Sequence, residues 1–346
     1  MRKLLVLLSL GLLLAVTSDS YIIGTTSITL DNIIRENLEA TNVIAPVPVE
    51  VAKEVVKVPE PIKSTRVPYG MVTADIQSEI GIMIDFYTGD VLYAKNPDKY
   101  WTAASLSKLF LLYHIMEKVE QGELDLDAYV DVDEDEWLEE LPLDAAVMFL
   151  EVGQRVTYRQ ILQGLGIVSG NDAAYFAVYQ LFGGRDKYAR TVNDFFSMNG
   201  FDQMHLEEPS GLSGFNRITA RQFAEFCKLY IDKYEPLLAD LHSLKSFSYP
   251  LKKNLVEGVK YQYKKVTRSN TNKLLGNYQG VDGLKTGFIK MSGYNYAVTA
   301  EREGERLIIV LLGGKGNTAR EGRNKITRDA VKLFNKGFDM ILNPDR

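Results

Sequence analysis

The chain has 346 residues, with 40 Lys and Arg against 45 Asp and Glu, a formal net charge of −5 at pH 7. An acidic balance gives no support to nucleic-acid binding, which favours a basic surface. Cys227 is the only cysteine, so no intramolecular disulfide can form, and the chain must rely on a buried core, which its size allows.

The N-terminus reads as an export signal. Arg2 and Lys3 form a short basic start, residues 4–16 are apolar apart from Ser9 and Gly11, and Val16-Thr17-Ser18 offers small residues for cleavage before Asp19. The apolar run is shorter than the roughly 20 residues a membrane span needs. Residues 1–18 are therefore expected to be a signal peptide. The alternative is an uncleaved anchor, which would then be the only membrane contact. Residues 19–67, with Pro46, Pro48, Pro59 and Pro61 among Val, Glu and Lys, lack helical or strand period and are expected to form a linker. Residues 68–346 read as one globular domain.

Within that domain, residues 80–87 and 91–94 are strand-like around the turn Thr88-Gly89-Asp90. A helical pattern over 106–121 ends at Gly122, and another over 159–179 is interrupted at Ser169-Gly170. Cys227 sits in a helical pattern over 219–233 and reads as a small core residue. Residues 294–301 and 306–312 suggest a hairpin, and 324–342 an amphipathic helix. Strands at both ends with helices between them predict a mixed α/β (α+β) fold in which the two ends of the domain share one sheet.

Three short motifs stand in order along this domain: Ser105-Leu106-Ser107-Lys108, Ser169-Gly170-Asn171 and Lys285-Thr286-Gly287. Together they form the S-x-x-K, serine/asparagine and K-T-G pattern of penicillin-recognising serine enzymes. On a helix, Ser105 and Lys108 share a face, so the lysine can reach the hydroxyl. A lysine needs a lowered pKa to act as a base near pH 7, and burial together with the charge of Lys285 is the expected cause. Ser169 could relay a proton to a leaving amine. The Asn171 amide both donates and accepts, so it could hold a peptide bond. Lys285 and Thr286 could bind a carboxylate. Gly287 would let a substrate backbone lie against an edge strand, and the N–H groups of Ser105 and Phe288 would face the developing oxyanion.

With Glu208-Pro209-Ser210-Gly211-Leu212 and Asn270-Thr271-Asn272-Lys273-Leu274-Leu275 added, the domain resembles the low-molecular-weight penicillin-binding proteins, the D-alanyl-D-alanine carboxypeptidase family of serine peptidases. The resemblance implies a β-lactamase/transpeptidase-like fold: a five-stranded antiparallel sheet flanked by helices, with a helical subdomain and the site in the cleft between them. It implies a peptidoglycan stem peptide ending in D-Ala-D-Ala as substrate, and β-lactams as covalent inhibitors. Ser105 would be the acylated nucleophile, Lys108 its base and Ser169 part of the proton relay. Asn171, Lys285, Thr286, Gly287 and Phe288 would hold the substrate. No metal or organic cofactor is implied. A cross-link endopeptidase of the same family, a class A-like β-lactamase using a glutamate of Leu206-Glu207-Glu208-Pro209, and a non-catalytic wall-binding protein stand as alternatives. Members of the family often carry a further C-terminal domain and membrane anchor, for which the text after residue 342 leaves no room.

Other chemistries lack their residues. His114, His205 and His242 do not form H-E-x-x-H, and no G-x-S-x-G elbow occurs. The segment 313–318 fails the phosphate-loop spacing, and 131–142 lacks the Gly and Glu of a calcium loop. Its acidic start, 131–135, reads as a solvated loop beside the cleft.

Overall fold

The computed structural model describes residues 70–133, 139, 141–258 and 264–343. It also describes two short antiparallel strand pairs near the N-terminus, Leu5–Ser9 with Leu12–Val16 and Tyr21–Ile23 with Thr26–Ile28. The rest of the expected signal (1–18) and linker (19–67) lies outside the described residues, as do Glu134 and Asp135 of the acidic segment. Among the described residues no helix is long and apolar enough to cross a membrane.

The main sheet has five strands: β1 (Ile80–Asp85), β2 (Val91–Lys95), β3 (Val281–Ile289), β4 (Gly293–Arg302) and β5 (Glu305–Gly314). They run antiparallel in the order β3-β4-β5-β1-β2, so the two ends of the domain meet where β5 pairs with β1. The sequence expectation of one shared sheet with the K-T-G strand at its edge is met.

Both faces of this sheet are covered, which explains the near-continuous apolar text of β5. Ile308, Val310 and Leu312 face one core, and Leu307, Ile309 and Leu311 face the other. The second core is closed by the terminal helix α6 (Ala319–Leu342), through Ile326, Ala330, Leu333, Phe334, Phe338 and Ile341 at helical spacing. This helix begins five residues before the expected start, because the Thr318 side chain caps it by accepting from Glu321 N. It packs on the sheet as its amphipathic pattern requires. Asp329 on its inner face accepts from Ser78 N and Ser78 Oγ, both at 2.7 Å, and so fixes the entry to β1.

The other face carries α1 (Lys108–Glu120) and the helical part of the chain: α2 (Tyr158–Gln163), α3 (Asn171–Phe182), α4 (Arg185–Met198) and α5 (Ala220–Tyr234). Helix α1 is buried from Lys108 through Ile115, and its Phe110 ring sits 4.8 Å from Phe196 and 4.6 Å from Phe226. Cys227 is fully buried among these side chains, as its pattern suggested. The expected break near Ser169-Gly170 is present. The helix α2 widens into a turn over Gly164–Val168, Ser169 takes a left-handed conformation (φ 63°), and α3 starts at Asn171.

Candidate active site

Ser105 lies in a tight turn, Ala104–Ser107, that leads directly into α1. The turn is held from three sides. Asn295 on β4 donates to the carbonyls of Thr102 (2.7 Å) and Ala103 (3.1 Å). The buried Ser107 hydroxyl accepts from Asn216 Nδ2 at 3.0 Å. On the third side, β3 passes so close at Gly287 that a Cβ there would lie 2.9 Å from Ser105 N. The nucleophile turn is thus a further reason for glycine at 287, beside the expected room for a substrate backbone.

Lys108 is fully buried and makes three contacts. Its Nζ donates to Ser105 Oγ (3.0 Å), to Asn171 Oδ1 (2.6 Å) and to the Ser210 carbonyl. Burial pushes its pKa down to about 7, although Glu208 and Asp172 pull in the opposite direction. The sequence reading assigned part of this shift to Lys285. The main perturbers of Lys108 are its burial and these two carboxylates. The repulsion is visible at Lys285, which burial first and the Lys108 charge second hold well below the usual lysine value.

Lys285 is buried on β3 and donates to Ser169 Oγ at 2.9 Å and to the Thr286 carbonyl at 2.9 Å. The three motifs thus meet as a linked trio, Ser105–Lys108–Asn171, and a linked pair, Ser169–Lys285. Thr286 is half-buried beside them, and Phe288 is exposed with its ring 4.5 Å from Tyr294. Of the eight predicted site residues, Ser105, Lys108, Asn171, Ser169 and Lys285 are held in these two groups, and Thr286, Gly287 and Phe288 follow Lys285 along β3, which passes against the Ser105 turn at Gly287.

Several supporting residues were not singled out by role from sequence. Glu208 is buried. Its carboxylate accepts from the backbone N–H of Ser210 (2.7 Å), Gly211 (2.7 Å) and Ser213 (3.1 Å), from Ser210 Oγ, and from Asn216 Nδ2 (3.0 Å). It folds the loop that presents the Ser210 carbonyl to Lys108, and with the Tyr175 hydroxyl at 3.4 Å its two oxygens accept from six donors. Gly211 (φ 87°) in that loop touches the nucleophile turn, and a Cβ there would collide with the Ala104 carbonyl. The Asp172 carboxylate accepts from Met148 N (2.8 Å), Phe149 N (2.8 Å) and Leu150 N (3.0 Å), anchoring a loop beside Asn171. Asn272 donates to the Gly283 carbonyl (3.0 Å), and buried His242 meets the Leu284 carbonyl at 3.1 Å, so both brace β3 next to Lys285. The only sequence signal for these was the fixed text around Glu208, Asn171 and Asn270.

Chemically, the arrangement offers a hydroxyl beside a buried lysine whose pKa is brought down to about 7. A second lysine–serine pair stands across the cleft, and backbone N–H groups line the Ser105 turn. That set suits attack on an acyl group next to a carboxylate.

A family model described as D-alanyl-D-alanine carboxypeptidase matches residues 65–316. The chain is 26% identical over 279 residues to the D-alanyl-D-alanine carboxypeptidase DacA of Haemophilus influenzae, covering 80% of this chain and 66% of that protein. It is 29% identical to a D-alanyl-D-alanine carboxypeptidase of Streptomyces sp. strain K15, covering 72% of this chain and 84% of the relative. Against the DacF protein of Bacillus subtilis it covers 61% of the relative's length, so it spans about three fifths to two thirds of several such proteins. Among solved structures, penicillin-binding protein 6B from Escherichia coli superimposes with a TM-score of 0.64 at 26% identity, covering 77% of this chain and 80% of that one. Ampicillin-bound penicillin-binding protein D2 from Listeria monocytogenes gives 0.63 at 26% identity, covering 77% of this chain and 100% of that one.

Proposed function

The chain belongs to the D-alanyl-D-alanine carboxypeptidase family of peptidases, and on that premise we propose that it removes the terminal D-alanine from peptidoglycan stem peptides through an acyl-enzyme on Ser105. The observation that carries this reading is the Lys108 amine, buried, brought down to about 7 and 3.0 Å from the Ser105 hydroxyl. A free amine takes the Ser105 proton as the oxygen attacks the penultimate D-alanine carbonyl. The N–H groups of Ser105 and Phe288 stabilise the oxyanion, and Ser169, linked to Lys285, delivers a proton to the leaving amine. Lys285 and Thr286 hold the terminal carboxylate, and Asn171 orients the peptide. Water then releases the shortened stem. β-Lactams acylate the same hydroxyl, in keeping with the ampicillin-bound relative. The substrate places the enzyme outside the cytoplasm, consistent with an export signal at residues 1–18.

The β-lactamase alternative is disfavoured, because the Glu208 carboxylate is engaged by six donors from its own loop, Asn216 and Tyr175. The test is acylation by a fluorescent penicillin alongside D-alanine release from a pentapeptide. Release that disappears with Ser105→Ala supports the reading; penicillin hydrolysis at many turnovers per second would sink it.

A further inference from the structure

Charge is unevenly distributed along this acidic chain. Residues 245–273 hold eight Lys and Arg against one acidic residue, Glu257. The described part of this segment forms a small hairpin, Ser246–Tyr249 paired with Val266–Ser269, and a short turn, Lys252–Asn254. Lys252, Lys253, Lys264 and Lys265 are exposed, and Lys245 and Lys273 stand exposed at its base.

Elsewhere the cations are commonly engaged. Arg159 meets Asp127, Arg221 meets Asp98, Lys233 meets Glu117 and Glu120, and Arg306 meets Asp282 and Glu301. Among the described residues, none of the lysines at 245, 252, 253, 264, 265 and 273 makes an ion pair, although Lys253 lies near enough to Asp127 to stabilise its charged form. So many unpaired like charges on one small lobe repel one another, and an anionic partner would relieve that repulsion.

Besides Asn272, which braces β3 next to Lys285, two contacts join the lobe to the residues around Ser169 and Asn171. Thr271 N donates to the Ile167 carbonyl (3.2 Å), two residues before Ser169. The Arg268 guanidinium lies 4.7 Å from the Phe149 ring, on the loop that Asp172 anchors beside Asn171. The hairpin therefore sits beside the part of the site that holds Ser169 and Asn171.

We propose that this basic lobe is a second binding surface, which holds the carboxylates of neighbouring stem peptides in the peptidoglycan mesh while one stem occupies the cleft. The proposal rests on the peptidoglycan reading above for the identity of its ligand. A mesh of stems presents many carboxylates at close spacing, the form of anion that a cluster of flexible lysines engages better than a single rigid site would. The surface adds affinity for polymeric wall and nothing for a short soluble peptide.

The experiment uses the full chain with Lys252→Gln, Lys253→Gln, Lys264→Gln and Lys265→Gln combined, in a Ser105→Ala background, pelleted with purified sacculi. The variant should bind about tenfold more weakly than its Ser105→Ala parent at low salt, and the difference should shrink as salt rises. Sacculi with amidated carboxylates should no longer distinguish the two chains. In the Ser105 background, fluorescent-penicillin acylation should stay within about twofold of the parent, showing an intact site. Equal sacculus binding overturns the proposal, as does a loss seen only with phosphatidylglycerol vesicles or an equal fall in acylation. Because binding is read without turnover, failure of the parent chain to release D-alanine would remove the carboxypeptidase reading and leave the sacculus result standing.

Discussion

Ser105 and Lys108 set the chemistry, and their pairing makes two predictions. Ser105→Ala should abolish covalent labelling by a fluorescent penicillin while the melting temperature is kept, since the hydroxyl makes only a long 3.5 Å contact to the Ser210 carbonyl besides its bond from Lys108. Labelling that persists at another residue would overturn the nucleophile assignment. The second prediction is the pH profile. Burial lowers Lys108 to about 7, so the free amine that accepts the Ser105 proton predominates above that pH. Penicillin acylation should level off above pH 7 and fall about tenfold per unit below it, and a rate unchanged down to pH 5 would exclude this base. The same burial carries a stability cost with a defined sign. Between about 7 and 10.5 the unfolded chain holds a proton on Lys108 that the folded chain has released, so this residue's contribution becomes more favourable as pH rises through that window. Lys285 makes the third prediction. Lys285→Ala should weaken substrates with a free terminal carboxylate more than those lacking one, measured as kcat/KM on a matched pair, and equal losses would remove its carboxylate role.

At the scale of elements, the site depends on how closely two pieces of backbone approach. Gly287→Ala places a methyl against Ser105 N and Leu106 N, and must separate β3 from the nucleophile turn. Acylation should slow by about 10- to 100-fold, with a stability loss on the order of 1 kcal/mol, by stopped-flow labelling and thermal melts. An unaffected acylation rate would show that the approach is incidental. Glu208→Ala leaves the buried donors of Ser210, Gly211 and Asn216 without their acceptor and should cost about 3 kcal/mol in denaturant unfolding. These elements differ in how far the sequence revealed them. The helix period around Lys108 and the glycine-flanked run around Lys285 were strong enough to place both motifs on the right elements. The interruption at Ser169 was visible because Gly170 follows it. The roles of Glu208, Asp172, Asn272 and His242 were hidden, since each depends on which backbone groups long-range folding brings to a side chain. Local text carries no record of that. Burial is the main cause of the Lys108 shift, as the sequence suggests; the opposing carboxylates were hidden because they lie 64 and 100 positions away in sequence.

At the scale of the whole molecule, the sheet joins the two ends of the domain and sets its edge strand against the helical side, so the cleft exists only when both are folded. The overall plan was legible because strands at both ends with helices between them leave few ways to build one sheet. The charge asymmetry was equally open in the sequence, but its meaning was not. Only the hairpin's junctions at Ile167 and Phe149 put the basic segment beside Ser169. The central claim is the bond that is cut. It is tested most directly by mass spectrometry of muropeptides after the full chain is incubated with isolated, pentapeptide-rich peptidoglycan. Loss of one terminal D-alanine from pentapeptides, absent with Ser105→Ala, is the predicted result. Intact pentapeptides from a preparation that still binds penicillin covalently would contradict it, whether cross-linked dimers were converted to monomers or left unchanged.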